Sequence, residues 1–450
     1  MYGNNNHRMD QAASVISQAG SALYVSFFPC LYAHPIPIPG TSTTSDYRET
    51  QSTESIGRNT NAHVTRATFV IAHTLVSSPK AVHAKTHYNL RVFESAVAAR
   101  VLVHRLGLPI SDKKGIGMGG NEERVSLRGV LDALMDREFG HSNEELNEDV
   151  ERLRKGLERM IQEVECLRPA CSAKQPGEEQ ELGVDLDTMI EWTGMSHQRF
   201  EDVYLNWLEG ECESLFSVRH ESAPLLEYRN LWVIIAMLTM FTVMAHYPPK
   251  WYFIFVHTPN ANTVEARLFQ LYKRAKHCYE EALRVLQFRD ICISTSSPNP
   301  SFDSASVSPI TALAALMNAS QESCSTLYEC TCPEIDLLTK LAREAGAYGS
   351  RVTGTSSQYF VTFLHPPIDP CLNQLRNLLT VTKSGAGWGG CTVSLVEGSQ
   401  VDAFIAQLWE TYPPYRDIVT SRGREEAEEV LRAAVFATKP SSGVCGECRH

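Results

Sequence analysis

Apolar residues recur at two periods along the chain. Leu90, Phe93, Val97, Val101 and His104 fall at helical spacing, which predicts a helix from Tyr88-Asn-Leu-Arg91 through Leu106. Leu146, Val150, Leu153, Leu157, Ile161 and Val164 stripe another, whose Glu and Arg residues read as a solvated outer face. Further helices are predicted over Val125 to Phe139, over Leu186 to Trp192 and His197 to Trp207 around Gly194, and over Leu268 to Phe288. Pro333 suits the first turn of one more, with Gly346 at its C-cap. Strands are predicted at Leu23 to Phe28, at the nearly all-apolar Thr68 to Val76, and at Cys391 to Val396, where apolar and polar positions alternate. Pro35 to Pro39 reads as a proline-rich exit from the first strand. Residues 40–66, rich in Ser, Thr and Asn, read as a disordered loop.

Composition narrows the class. The 450 residues suffice for two or three domains, and 43% hydrophobic with 21% charged residues is ordinary for a globular chain. The net charge of −11 and the lack of a polybasic cluster argue against nucleic-acid and membrane-surface partners. Thirteen scattered cysteines without a secretory signal favour reduced thiols and a cytoplasmic location. The apolar run Leu231 to Ala245 falls short of a membrane span and reads as a buried or misplaced segment.

Candidate chemistry centres on Gly385-Ala-Gly-Trp-Gly-Gly-Cys391. Glycines so dense let a backbone take positive φ and pass close to another group. The spacing satisfies G-x-G-x-x-G, but here a loop feeds a strand rather than a helix, so the dinucleotide reading fails. A tight turn before a core strand accounts for the pattern alone. Lys113 to Gly120 is followed by Asn-Glu-Glu and reads as a loop, and no Walker A sequence occurs. Met9, Ala13 and Ile16 share a helical face, with Asp10 in the first turn as an ordinary dipole partner. Tyr88 would pack on the core as a helix-start aromatic. His83 with His87, Cys330 with Cys332, and Cys445 with Cys448 lack metal-site partners, so no metal site is expected. No Ser or Cys stands in a nucleophile setting.

Upstream of the glycine stretch stands Gly349-Ser-Arg-Val-Thr-Gly354. Joined to it across residues 355–385, it resembles the C-terminal glycine motif of galactokinases, in the kinase group that also holds homoserine, mevalonate and phosphomevalonate kinases. Met9-Asp-Gln-Ala-Ala-Ser14 resembles the segment carrying that family's catalytic aspartate, although His7 and Arg8 replace two glycines. Leu316 to Gln321, Leu327 to Asp336 and Thr438 to Ser442 are similar to fungal galactokinases. The resemblance implies an α+β fold of two lobes around a cleft, the first lobe incomplete in residues 1–108 and the second, C-terminal α/β lobe in 109–450. It implies ATP and Mg as cofactors and galactose as substrate, with phosphoryl transfer to the anomeric hydroxyl. It implies Asp10 as catalytic base, Tyr88 against the sugar, and Gly354, Gly385, Gly387, Gly389 and Gly390 around the cleft.

Stretches 40–66, 209–263 and 355–385 interrupt the resemblance and read as insertions, on their placement inside motifs and unlike composition as translated introns. The family's N-terminal galactose motif and serine-rich phosphate loop do not occur in the chain, whose true protein is expected to start upstream. Little or no kinase activity is therefore expected of this polypeptide. The alternatives are a galactose and ATP sensor acting through a repressor protein, and an inert gene-model fragment.

Overall fold

The computed structural model describes residues 13, 15–26, 32–41, 66–76, 87–109, 124–140, 146–169, 183–205, 268–296, 308–353 and 389–441. Residues 42–65 of the predicted loop at 40–66, the loop at 113–120, the apolar run at 231–245, and Asp10, Gly354, Gly385 and Gly387 lie outside these residues.

The fold is α+β. Strands β1 (Ser21–Ser26) and β2 (Tyr32–Pro37) pair antiparallel in a two-stranded sheet. Strands β3 (Ala67–His73), β4 (Gly349–Val352), β5 (Cys391–Glu397) and β6 (Val435–Thr438) form a second, antiparallel sheet in the order β4-β5-β3-β6. The proline-rich exit is thus a strand. Pro35 and Pro37 alternate with Ile36 along β2, where proline's missing N–H is tolerated because that strand is an edge.

The helices are α1 (Tyr88–Leu106), α2 (Leu127–Phe139), α3 (Leu146–Glu163), α4 (Leu186–Thr193), α5 (His197–Phe200), α6 (Leu271–Ser296), α7 (Pro309–Ser323), α8 (Pro333–Glu344), α9 (Val401–Thr411), α10 (Pro413–Arg422) and α11 (Arg424–Ala434). Their ends follow the sequence. Ser126, Asp185, Ser196 and Ser308 each accept a backbone N–H as N-caps, and Gly107 and Gly194 close α1 and α4 in the left-handed conformation.

Period two sorts the large sheet's faces. Val70, Ala72 and Val396 join Leu338, Phe404, Leu408 and Leu431 in a core beneath α8, α9 and α11. Ala67, Phe69, Val393 and Leu395 turn to the other face, against Ile310, Ala314 and Met317 of α7. Gly349 is needed there, because a Cβ would stand 2.7 Å from the Ala314 carbonyl oxygen. The largest core gathers α1 to α6 around Phe93, Val97, Leu102, Leu134 and Met160, each fully buried.

Two predicted insertions are flanked by described residues that lie side by side. Ala67 N–H donates to Gly40 O at 3.1 Å, and Thr353 N–H donates to Cys391 O at 2.9 Å. Excising residues 355–385 therefore leaves β4 and β5 in register. It shortens their connection about fivefold, a closure-entropy gain of about 1–2 kcal/mol. Urea denaturation of the excised chain is expected to show that gain; loss of the cooperative transition would contradict it.

Helix α6 also buries a titrating group. His277 Nδ1 lies 2.9 Å from Ser323 Oγ, and its ring stacks on Tyr328 with centroids 4.5 Å apart. Burial pushes its pKa down to about 4. The unfolded chain takes up this proton near pH 6.5 and the folded chain only near 4. Stability therefore falls as pH drops through that window, by about 3 kcal/mol from this residue. Stability measured between pH 7 and 4 is expected to show that slope, and His277→Asn to flatten it.

Candidate functional site

The described part of the predicted site is one end of the four-stranded sheet. Gly389 and Gly390 take φ of 154° and 94°, the conformations glycine alone adopts cheaply, and lead directly into β5. Beside them β3 ends at His73, opposite Cys391. Thr74 donates to the Gly390 carbonyl twice, from N at 2.8 Å and from Oγ1 at 3.0 Å. Leu75 then turns left-handed at φ 61°, which carries the chain out of the strand three residues before the predicted end at Val76.

Aromatic side chains from α10 and its start fasten this turn. Tyr412 Oη donates to Thr74 O at 2.9 Å, and Tyr415 Oη donates to His73 O. The two rings meet edge to face, with centroids 4.7 Å apart. Burial raises both phenol pKa values, so they stay neutral donors at physiological pH. Burial lowers that of His73, whose Nδ1 lies 2.9 Å from the Leu75 N–H; the neutral ring with Nδ1 as acceptor satisfies that bond.

The described parts of the two stretches that the split motif joins come together here. Gly349 to Val352 form β4 and Cys391 onward forms β5, paired with Val352 opposite Thr392. Ser350 Oγ meets Ser394 Oγ at 3.0 Å across the pair, both buried. Chain positions far apart thus rebuild one hairpin, with Thr353 on one side of its tip and Gly389 and Gly390 on the other.

Tyr88 begins α1, as predicted, with His87 as its N-cap. The first turn is held by Arg91, whose Nε donates to Tyr328 O at 2.7 Å and whose Nη2 donates to Glu329 O at 3.0 Å. That loop continues through Cys330 and Cys332, which pack beside Val352 at the end of β4. The start of α1 is therefore linked, contact by contact, to the glycine end of the sheet.

A buried ionic network escaped the sequence reading. Arg274 Nε donates to Glu94 Oε2 at 2.6 Å, and its Nη2 donates to Glu329 Oε2 at 2.7 Å. Lys273 reaches Glu329 Oε1 at 2.7 Å, and Glu94 Oε1 accepts the Gln270 N–H at 2.7 Å. Burial opposes the charge on Glu329, but Arg274 and Lys273 outweigh it and hold its carboxyl below the usual range. The network fixes α6, the first turns of α1 and the Tyr328–Glu329 loop together.

Among the described residues no three His, Cys, Asp or Glu side chains gather to hold a metal ion, and no helix is long and apolar enough to cross a membrane. A cavity of about 280 Å³ lies between β1, α6 and α7, lined by Tyr24, Phe69, Phe288 and Met317 with Arg284 and Arg351 at its polar side. Those guanidiniums are already paired to Glu281, and no predicted site residue lines the cavity.

Comparison with known proteins points one way. Residues 307–361 match the model of the GHMP kinases C-terminal region. The chain is 27% identical to the galactokinase of Saccharomyces cerevisiae over 443 residues, 98% of this chain and 60% of that one. It is 35% identical to the galactokinase of Dictyostelium discoideum over 193 residues, covering 42% of this chain and 32% of that one. The galactokinase of Candida parapsilosis is 26% identical over 98% of this chain and 60% of its own length. The crystal structure of Lactococcus lactis galactokinase complexed with galactose covers 50% of this chain and 43% of its own, at 18% identity and a TM-score of 0.23. The chain spans about three-fifths of the length of the fungal relatives it matches. By these relatives, the chain is similar to galactokinases of the fungal type.

Proposed function

We propose that the protein to which this chain belongs transfers the γ-phosphoryl group of ATP to the anomeric hydroxyl of galactose, giving galactose 1-phosphate in the cytoplasm. The observation that carries this reading is the hairpin in which Gly349 to Thr353 and Gly389 to Val396 rejoin as neighbouring strands. Its relatives are named galactokinases, which supports the same assignment.

In this reading Asp10 accepts the proton of the attacking sugar hydroxyl, the general-base part of phosphoryl transfer. Tyr88 contacts the sugar at the start of α1. Gly354, Gly385, Gly387, Gly389 and Gly390 keep the cleft wall free of side chains. Magnesium would arrive with the ATP phosphates, where it would offset their negative charge. Residues 1–108 hold the first kinase lobe's remainder and 109–450 the second, with β3 and α1 as the elements through which they join.

The serine-rich phosphate loop of the family does not occur among the 450 residues, so this chain by itself is a poor catalyst. Incubation with ATP, magnesium and galactose is expected to give turnover far below about one per second, the lower end of ordinary kinases. Turnover at or above that rate would overturn the impairment. Calorimetry with galactose and with ATP tests the assignment separately, and heat from neither would count against a sugar-kinase pocket.

A further inference from the structure

Helix α7 runs into a π-turn, Cys324–Tyr328, which ends at Glu329 with a left-handed φ of 52°. That conformation is uncommon for a residue with a side chain. The N–H groups of Glu329 and Cys330 both return to the Cys324 carbonyl, the second at 3.0 Å. In the related Schellman ending, such a return brings the side chains at its two extremes into contact. Here the π-turn widens the motif by a residue, and both extremes are cysteines.

Their surroundings set the pair apart from the other thiols. Cys324 lies with Ile335 and Val352 in a small apolar core, and Cys330 and Cys332 pack against it. The Cys330 thiol donates to the Cys324 sulfur, which also has Ser320 Oγ and the Arg351 guanidinium for neighbours. That donated bond, with Arg351 and Ser320, holds the Cys324 thiol below its usual pKa against the opposing effect of burial. The same bond pushes Cys330 up. Cys332, on the far side of Thr331, is pushed up to about 11 by burial. All three are free thiols.

We propose that Cys324 and Cys330 form a redox-sensitive pair that hydrogen peroxide closes into an intramolecular disulfide. The Cys324 thiolate attacks one peroxide oxygen and breaks the O–O bond; it becomes a sulfenic acid, and the departing hydroxide leaves as water after taking a proton. Cys330, as its thiolate, then attacks the Cys324 sulfur. The S–S bond forms as the S–O bond breaks, and hydroxide leaves as water with the proton released by Cys330. Two thiols are oxidised, one peroxide is reduced, and two waters result. The cross-link spans the turn holding Glu329, whose carboxylate binds Lys273 and Arg274, and whose carbonyl binds Arg91. Oxidation thereby fixes the loop against the first turn of α1.

The test uses the full 450-residue chain, treated with hydrogen peroxide, alkylated and digested with trypsin. One peptide, from Asp290 to Lys340, carries Cys292, Cys324, Cys330 and Cys332. It is expected to lose two hydrogens and two alkylation sites, with fragmentation placing the link between Cys324 and Cys330. Dithiothreitol should reverse the change, Cys332→Ser should retain it, and Cys330→Ser should abolish it. A link involving Cys332, oxidation to sulfinic or sulfonic acid without a link, or full alkylation after peroxide would each overturn the proposal. Fragmentation of the unaltered chain decides the matter even if a variant folds poorly.

Discussion

Replacing Arg274 with Met is expected to destabilise the chain by about 3–5 kcal/mol, the cost of leaving a buried charge without its partner. Arg274 is 1% exposed and Glu94 0%, so the abandoned carboxylate has no route to water. Arg91 stands 3.9 Å from Glu94 and compensates only in part. The reciprocal change Glu94→Met leaves Arg274 and Arg91 facing one another and should cost as much. The double replacement Glu94→Met with Arg274→Met should recover a large part of the loss, because apolar side chains can replace a buried pair at little cost. Urea unfolding of the three variants measures this. A single-variant loss under about 1 kcal/mol would show that the network contributes little.

Phe93→Ala is the second large effect, a loss of about 3–5 kcal/mol from burial and cavity formation. Phe93 is fully buried, with ring centroids 6.2 Å from Phe200 and 5.5 Å from Phe269. Phe200 in turn meets Tyr204 at 5.1 Å. These rings stand on both sides of the connection made by residues 206–267, so Phe93 is where the chain before and after it meets. Thermal unfolding of Phe93→Ala should give a much lower midpoint, and Phe93→Leu a smaller drop. Equal losses from both would mean that ring contacts, rather than filled volume, hold this junction.

Much of the fold was legible because local pattern decided it. The stripe from Leu90 to Val101 gave α1 with both ends as observed, and the alternation after Cys391 gave β5. Helix α6 runs on to Ser296, beyond the predicted Phe288. There Ser294, Thr295 and Ser296 turn their hydroxyls back to carbonyls one turn earlier, so these polar groups find partners within the helix. Helices α9, α10 and α11 and strand β6 were not read from the pattern; β6 gains its place by pairing with β3.

The site divides in the same way. Gly389 and Gly390 were found from composition, and the start of α1 at Tyr88 from periodicity. The Glu94–Arg274 pair was beyond reach because its members lie 180 residues apart and neither belongs to a motif. Cys324 and Cys330 were invisible as a pair, since only the π-turn and the left-handed Glu329 bring their ends together. Asp10, Gly354, Gly385 and Gly387 fall outside the described residues, so their roles rest on the galactokinase resemblance.

The bond between Ala67 and Gly40 has a practical consequence. Backbone that departs and re-enters across one peptide hydrogen bond asks of its passenger only that its own two termini lie side by side. A compact reporter domain meeting that demand could be spliced between Gly40 and Ala67, and the sheet would register its presence no more than a socket registers a plug.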